Sequence, residues 1–512
     1  MATMNRNLYQ LFQQAFANAL QQVAIETDAG QTWTFAEVDA ESARMANWLD
    51  SLGLLPGDRV MVQVEKSVPS LLFYLACLRA GLVYVPLNSA YQSAELAYFI
   101  ENAAPRVLVG DPAQIDTLAT LARRLGVAHC LTLDADGQGS LVDAVQGFSD
   151  QHALRELGAD ALAAIVYTSG TTGRSKGAQL THGNLAANAQ TLQAYWGFQP
   201  DDVLIHALPI FHVHGLFVAA HLALLNASRM LWLDKFKPQQ VLAWLPRATV
   251  FMGVPTLYVR LLQEPGLTPE ACAHMRLFIS GSAPLLTETF HAWRERTGHT
   301  ILERYGMSET IMLTSNPYHP QDGERVGGTV GLPLPGVDVR CVDEQGEPCA
   351  AGDIGGVEVR GPNVFPGYWR MPEANAKEFT ADGWFKTGDV GRFDANGYLT
   401  IVGRSKDLII TGGYNVYPAE VEGYINDIPG VDESAVIGCP HRDFGEGVVA
   451  VVVPKPGVVL QADALLQTLK GQIAGFKVPK QLFVVDALPR NVMGKVQKNV
   501  LRQTYAQVFD GV

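Results

Sequence analysis

Short apolar runs alternate with helical patterns over residues 20–160. Val60–Val62, Val83–Val85, Val107–Val109 and Ala161–Val166 are each too short for a helix and bounded by turn residues, so they predict buried strands. Helical spacing fills the gaps, as at Leu71–Leu78, and Thr34-Phe35-Ala36-Glu37 has the form of a capping box opening a helix with Met45, Trp48 and Leu49 on its apolar side. Leu8, Leu11, Phe12, Ala15, Phe16 and Leu20 also recur at helical intervals, which predicts a packed amphipathic helix. The alternation continues over 178–320, where Arg276–Ile279 leads into Ser280-Gly281-Ser282 and Ile301–Glu303 leads into Tyr305-Gly306. Strands alternating with helices predict an α/β fold with parallel, doubly wound sheets.

The texture changes at about 325. Glycine and proline become dense, as in Gly331-Leu332-Pro333-Leu334-Pro335-Gly336, and the apolar runs shorten to Val337–Val342, Gly356–Arg360 and Tyr398–Val402. This predicts a small β-rich subdomain over about 325–403, closing a large N-terminal domain of residues 1–404. Residues 405–512 then have strand patterns at Ser434–Ile437 and Val448–Val453 and helical patterns at 418–426 and 462–474, the size and texture of a separate α+β domain.

Composition narrows the class. At 512 residues, 48% apolar and 17% charged, the chain has globular values and room for more than one core. No apolar run is long enough to span a bilayer, and the first twenty residues lack a signal or transit pattern, so no membrane association is expected. A net charge of −13 argues against nucleic acid as a partner. The six cysteines are scattered without a C-x-x-C pair, which suggests neither zinc nor a disulfide framework and fits a cytoplasmic location.

The chemistry concentrates in Tyr167-Thr168-Ser169-Gly170-Thr171-Thr172-Gly173-Arg174-Ser175-Lys176-Gly177, directly after a predicted strand. Glycines let backbone N–H groups approach an anion, hydroxyls add donors, and Arg174 and Lys176 add charge. That is the make-up of a polyphosphate cradle. It differs from the common P-loop, which would need glycine at Ser175.

This stretch resembles the phosphate-binding signature of the acyl- and aryl-CoA synthetase superfamily, the AMP-forming, adenylate-forming enzymes. Similar motifs follow in the family's order: Leu208-Pro209-Ile210-Phe211-His212, Ser280-Gly281-Ser282-Ala283-Pro284, Arg304-Tyr305-Gly306-Met307-Ser308-Glu309, Thr387-Gly388-Asp389, Gly403-Arg404-Ser405-Lys406-Asp407 and Pro489-Arg490-Asn491-Val492-Met493-Gly494-Lys495. Within the superfamily the chain looks most like the malonyl-CoA synthetases, at Phe211-His212-Val213-His214-Gly215, Gly253-Val254-Pro255-Thr256 and Lys495-Val496-Gln497-Lys498-Asn499.

The resemblance implies ATP, Mg²⁺ and coenzyme A as co-substrates and cofactor, and a reaction through an acyl-adenylate. Thr168, Ser169, Gly170, Thr171, Thr172, Gly173 and Lys176 would cradle the polyphosphate. Glu309 would hold Mg²⁺ with a hydroxyl from Thr168 or Thr172, unless it merely caps a helix start. Ser282, Ala283, Pro284, Glu303, Arg304, Tyr305, Gly306, Met307 and Ser308 would form the adenosine slot, with Tyr305 stacked on the base. Asp389 would accept from the ribose hydroxyls, with Arg404 near ribose or phosphate. Lys495 would bridge carboxylate and α-phosphate, Lys406 would be the hinge of a mobile C-terminal domain, and Gly412 and Gly413 would face the entering thiol.

A dicarboxylic acid needs a cation at its far end, because an unpaired buried carboxylate is very costly. Arg260, after Gly253–Val259, is the expected partner, with Ser282 and His212 as further donors. The alternative for Arg260 is a solvated helix position. The expected substrate is malonate or methylmalonate. Other readings are a ligase for another short or medium acid, an enzyme loading a carrier-protein thiol, a luciferase-like oxygenase, and a non-catalytic nucleotide sensor. Reversible acylation of Lys495 by a protein acetyltransferase and deacetylase would switch off the first step.

Overall fold

A computed structural model describes residues 5–168, 175–412, 414–491 and 494–510. The fold is mixed α/β, with a large N-terminal region of sheets and a small C-terminal domain. The chain forms two compact units, residues 1–338 with 359–385, and residues 339–358 with 386–512. The boundary expected at 404/405 falls inside the second unit. No helix among the described residues is long and apolar enough to cross a membrane.

The first unit holds two sheets. One runs His129–Thr132, Val107–Gly110, Arg59–Gln63, Val83–Pro86, Leu162–Thr168, Lys176–Thr181; every pair is parallel except the last. The other has nine strands, with a parallel centre formed by Leu302–Tyr305, Leu277–Ser280, Val250–Gly253, Val203–His206, Arg229–Trp232 and Val23–Thr27. The predicted strands are therefore present, and they are parallel because helices intervene between them. The helix Val68–Ala80 is buried at every position but Pro69. Its Tyr74 packs against Tyr84 of the six-stranded sheet and against Phe217 and His221 of the helical segment His214–Leu225.

Local signals explain many element ends. Thr34 and Glu37 form the capping box at the start of Phe35–Ser51. The first helix is Leu8–Phe16 and buries Leu8, Tyr9, Phe12 and Phe16. Leu20, expected on that helix, lies beyond its end and is exposed. Of the strands expected in the β-rich segment, all form, in a four-stranded sheet of Asp338–Val342, Gly355–Arg360, Phe385–Phe393 and Leu399–Arg404.

In the second unit, Gly445–Pro454 pairs along its length with Val431–His441. Its unbroken apolar run is buried on both faces. Val448, Ala450 and Val452 meet Ile409, Val421 and Leu465, while Val449, Val451 and Val453 meet Ile437, Leu488 and Phe509.

Candidate nucleotide and acid site

The polyphosphate stretch joins two antiparallel strands, Leu162–Thr168 and Lys176–Thr181, with Thr168 opposite Lys176. Ser169, Gly170, Thr171, Thr172, Gly173 and Arg174 lie outside the described residues. At the closed end, Thr168 Oγ1 donates to Lys176 O at 3.4 Å and to Glu309 Oε1 at 3.5 Å. Glu309 also accepts from Tyr368 Oη at 2.9 Å and is buried. It sits in a turn between strands Leu302–Tyr305 and Thr314–Ser315, so it caps no helix. Lys176 Nζ pairs with Glu378 Oε1 at 2.9 Å. Among the described residues no cluster of three or more His, Cys, Asp and Glu side chains could hold a metal, and the six cysteines are free thiols.

The strands Leu277–Ser280 and Leu302–Tyr305 are parallel neighbours, so the loops that follow them emerge at the same end of the sheet. This brings the Ser280–Pro284 loop against the Glu303–Glu309 segment. Because strand side chains alternate, Glu303 and Arg304 point to opposite faces. Glu303 is buried; one oxygen accepts Leu285 N–H at 2.9 Å and the other has no partner. Burial pushes its carboxyl up to about 8, against smaller opposing effects from Leu285 N–H and Arg304. Tyr305, Gly306, Met307 and Ser308 are half-buried, as are Ser282 and Ala283, while Pro284 is exposed.

Arg304 is 2% exposed, and its Nε and Nη2 groups have no hydrogen-bond partner. Burial pushes its guanidinium down to about 9, which still leaves it charged at neutral pH. The group packs on Gly281, where a Cβ would lie 2.6 Å from Arg304 Cζ and would push the guanidinium from this position. His214 Nδ1 lies 3.3 Å from Ser282 Oγ, and its Nε2 has no partner. Burial first, then the nearby Arg304, hold His214 well below the ordinary imidazole value, so it is neutral. Ser282 itself adopts φ 70°, a left-handed conformation uncommon outside glycine. Buried Arg304 and His214 and half-buried Ser282 thus form a positively charged corner with unpartnered nitrogens.

Two expected residues are placed differently. Arg260 is exposed at the end of helix Pro255–Leu262, its guanidinium over the Phe236 ring at 4.9 Å. His212 is half-buried and accepts His214 N–H at 3.3 Å on Nδ1; it is His214 that reaches Ser282.

In the second unit, Asp389 and Arg404 face each other across paired strands, with Asp389 Oδ1 2.6 Å from Arg404 Nε. Asp389 is buried and belongs to a strand, not to a turn. Lys406 is in a single helical turn, Ser405–Asp407, between two strands. Lys495 is exposed on a tight turn: Asn491 N–H donates to Lys495 O at 2.9 Å and Lys495 N–H donates to Asn491 Oδ1 at 3.0 Å. Gly494 there has φ 74°, favourable only for glycine. Lys498 is paired with Glu422 at 2.6 Å. Gly413 lies outside the described residues, and Gly412 N–H donates to Phe444 O at 2.9 Å. Phe444 is exposed and carries Lys480 Nζ over its ring at 3.8 Å; nearby in sequence, exposed Phe476 stacks on exposed Tyr414 at 4.7 Å. Sequence patterns gave no hint of these aromatic and cationic groups, since isolated exposed aromatics have no periodicity.

The fold defines a class, an α/β protein whose chemically loaded loops follow the carboxyl ends of parallel strands. The chain belongs to the AMP-binding enzyme family: the family's main model matches residues 11–369, and the model of its C-terminal domain matches residues 420–495. The chain is similar to ATP-bound MatB from Rhodopseudomonas palustris, at 56% identity and a TM-score of 0.96, over 99% of this chain and all of that one. It is similar to the malonate–CoA ligase of Arabidopsis thaliana, 32% identical over 97% of this chain and 89% of the plant protein. It is also similar to the feruloyl-CoA synthase of an Amycolatopsis species, 36% identical over 93% of this chain and 94% of that protein.

Proposed function

We propose that this protein is an AMP-forming ligase that joins malonate, and through the same pocket methylmalonate, to coenzyme A at the expense of ATP. Malonate–CoA ligases among the relatives and the MatB structure, the latter at 56% identity, support malonate as the acid, while a feruloyl-CoA synthase matches at 36%. The observation that carries the choice is Arg304, a buried guanidinium with two unpartnered donors beside His214 and Ser282. An aromatic or long-chain acid would leave that charge unmatched, whereas the far carboxylate of a small diacid matches it.

In the proposed reaction the near carboxylate attacks the α-phosphorus of ATP, releasing pyrophosphate. The thiol of CoA then attacks the acyl carbon and AMP leaves. Nucleophile, electrophile and leaving group of the first step are all negative, so catalysis is positioning plus placed positive charge. Thr168–Lys176 hold the polyphosphate, the Ser282–Pro284 and Gly306–Ser308 loops with Glu303 and Tyr305 hold adenosine, and Arg304 with His214 holds the far carboxylate. Asp389 and Arg404 take the ribose, and Lys495 neutralises charge between carboxylate and α-phosphate. Glu309 with the Thr168 hydroxyl fits Mg²⁺, which takes few protein oxygens and would supply charge neutralisation on the polyphosphate. Phe444, Phe476 and Lys480 offer stacking and charge for the nucleotide end of CoA. Lys406 serves as hinge for residues 405–512. Lys495, exposed on its turn, is open to reversible acylation by a protein acetyltransferase and deacetylase.

A panel of malonate, methylmalonate, octanoate, benzoate and ferulate tests the substrate. Malonate is expected to give the highest kcat/KM. Arg304→Met should lower it by about 10- to 100-fold, the range for a lost hydrogen bond to a charged group. Arg260→Ala should lower it far less. Preference for ferulate or octanoate would sink the proposal.

A further inference from the structure

The polyphosphate hairpin is backed by a segment outside the motifs used above. Residues 367–369 run antiparallel beside Lys176–Thr181: Tyr368 bridges Ala178, Trp369 N–H donates to Gly177 O at 2.8 Å, and Gln179 N–H donates to Gly367 O at 3.2 Å. Tyr368 is buried, and Asn375 fixes its backbone from both sides, accepting Tyr368 N–H at 2.7 Å and donating to Tyr368 O at 3.2 Å. Phe365 packs edge-on against its ring at 4.9 Å.

This one side chain touches both charged groups at the closed end of the hairpin. Its ring face receives Lys176 Nζ, 4.8 Å from the centroid, and its hydroxyl donates to Glu309 Oε1 at 2.9 Å. Lys176 is at the same time paired with Glu378 at 2.9 Å, at the last residue of helix Pro372–Glu378. A polyphosphate that takes Lys176 must therefore compete with a carboxylate, while the aromatic seat serves the ammonium with either partner.

We propose that Tyr368 is a positioning residue of the polyphosphate cradle, holding Lys176 and Glu309 at a fixed separation, and that Glu378 is the counter-ion Lys176 exchanges for a phosphate oxygen. This rests on the nucleotide reading of Thr168–Gly177. The ring and the hydroxyl act separately. The hydroxyl pins one oxygen of Glu309 and so acts on metal-bound nucleotide. The ring holds the Lys176 ammonium and so acts on nucleotide with or without metal. Glu378 restrains Lys176 before nucleotide arrives, so its removal favours binding.

The test is calorimetric binding of ATP to the full chain, with and without Mg²⁺, together with the melting temperature of each variant. Tyr368→Phe should weaken binding of Mg·ATP about tenfold, as expected for one hydrogen bond to a charged group, and leave metal-free ATP unchanged. Tyr368→Leu should weaken both forms. Glu378→Gln should tighten both severalfold. The proposal is overturned if Tyr368→Phe binds Mg·ATP like wild type. It is equally overturned if Phe and Leu variants lose both forms alike in step with a lowered melting temperature, or if Glu378→Gln weakens binding. Wild-type protein that binds no ATP overturns the nucleotide reading as well, so the two failures are told apart by the wild-type trace.

Discussion

At the scale of single residues, the account depends on charges that are buried deliberately. Glu303 has a proton-linked consequence. Its carboxyl is shifted by burial from 4.5 to about 8, so between those values the folded chain holds a proton that the unfolded chain has released. Stability from this group is complete below about pH 4.5 and is lost as pH rises through about 8. Glu303→Gln keeps an acceptor for Leu285 N–H and has no proton to lose. Its melting temperature relative to wild type should therefore rise by a few degrees from pH 5 to pH 8.5, and a constant difference across that range would contradict the assignment. Lys495→Ala should lower acid-dependent exchange of pyrophosphate into ATP by at least about a hundredfold while leaving the melting temperature unchanged. Residue identity was legible in the sequence where a motif was dense. Residue placement was less so: the sequence did not show that Arg260 is exposed or that Arg304 is buried with two unpartnered donors. On helix Pro255–Leu262 the inward face is Leu257, Tyr258 and Leu261, which leaves Arg260 outside. Arg304 is the buried guanidinium of the two, and it packs on Gly281.

At the scale of elements, hydrophobic patterning found buried strands such as Arg59–Gln63, Val83–Pro86, Val107–Gly110 and Leu277–Ser280, but not Val203–His206, Arg229–Trp232 or Val250–Gly253, equally buried strands of the nine-stranded sheet. It missed Phe385–Phe393, whose exposed Lys386, Gly388 and Arg392 interrupt the pattern and whose buried positions Thr387 and Asp389 are polar. It also gave no account of residues 365–369, which form a single bridge beside Lys176–Thr181 and are held by tertiary contacts. The turn carrying Lys495 is an element with a specific demand, since Gly494 sits at φ 74°. Gly494→Ala should cost about 1 kcal/mol locally. It should slow pyrophosphate exchange severalfold, with no change in the binding of CoA; an unaltered exchange rate would show that the turn geometry is not what places Lys495.

At the scale of the molecule, the proposed reaction is two steps served by different residue sets, so they should be separable. Phe444→Ala with Lys480→Ala should raise the KM for CoA about tenfold or more, from lost stacking and charge, and leave pyrophosphate exchange intact. Equal damage to both steps would place those residues elsewhere in the mechanism. Lys495→Ala should do the reverse, failing to make the adenylate yet still converting supplied malonyl-adenylate to the thioester. The most direct measurement of the central claim is exchange of labelled pyrophosphate into ATP, with each acid of the panel added in turn and CoA absent. The account predicts exchange that depends on malonate, exceeds that with ferulate or octanoate, and falls by about 10- to 100-fold in Arg304→Met. Exchange driven best by an apolar acid, or exchange with malonate untouched by loss of the Arg304 guanidinium, would contradict it.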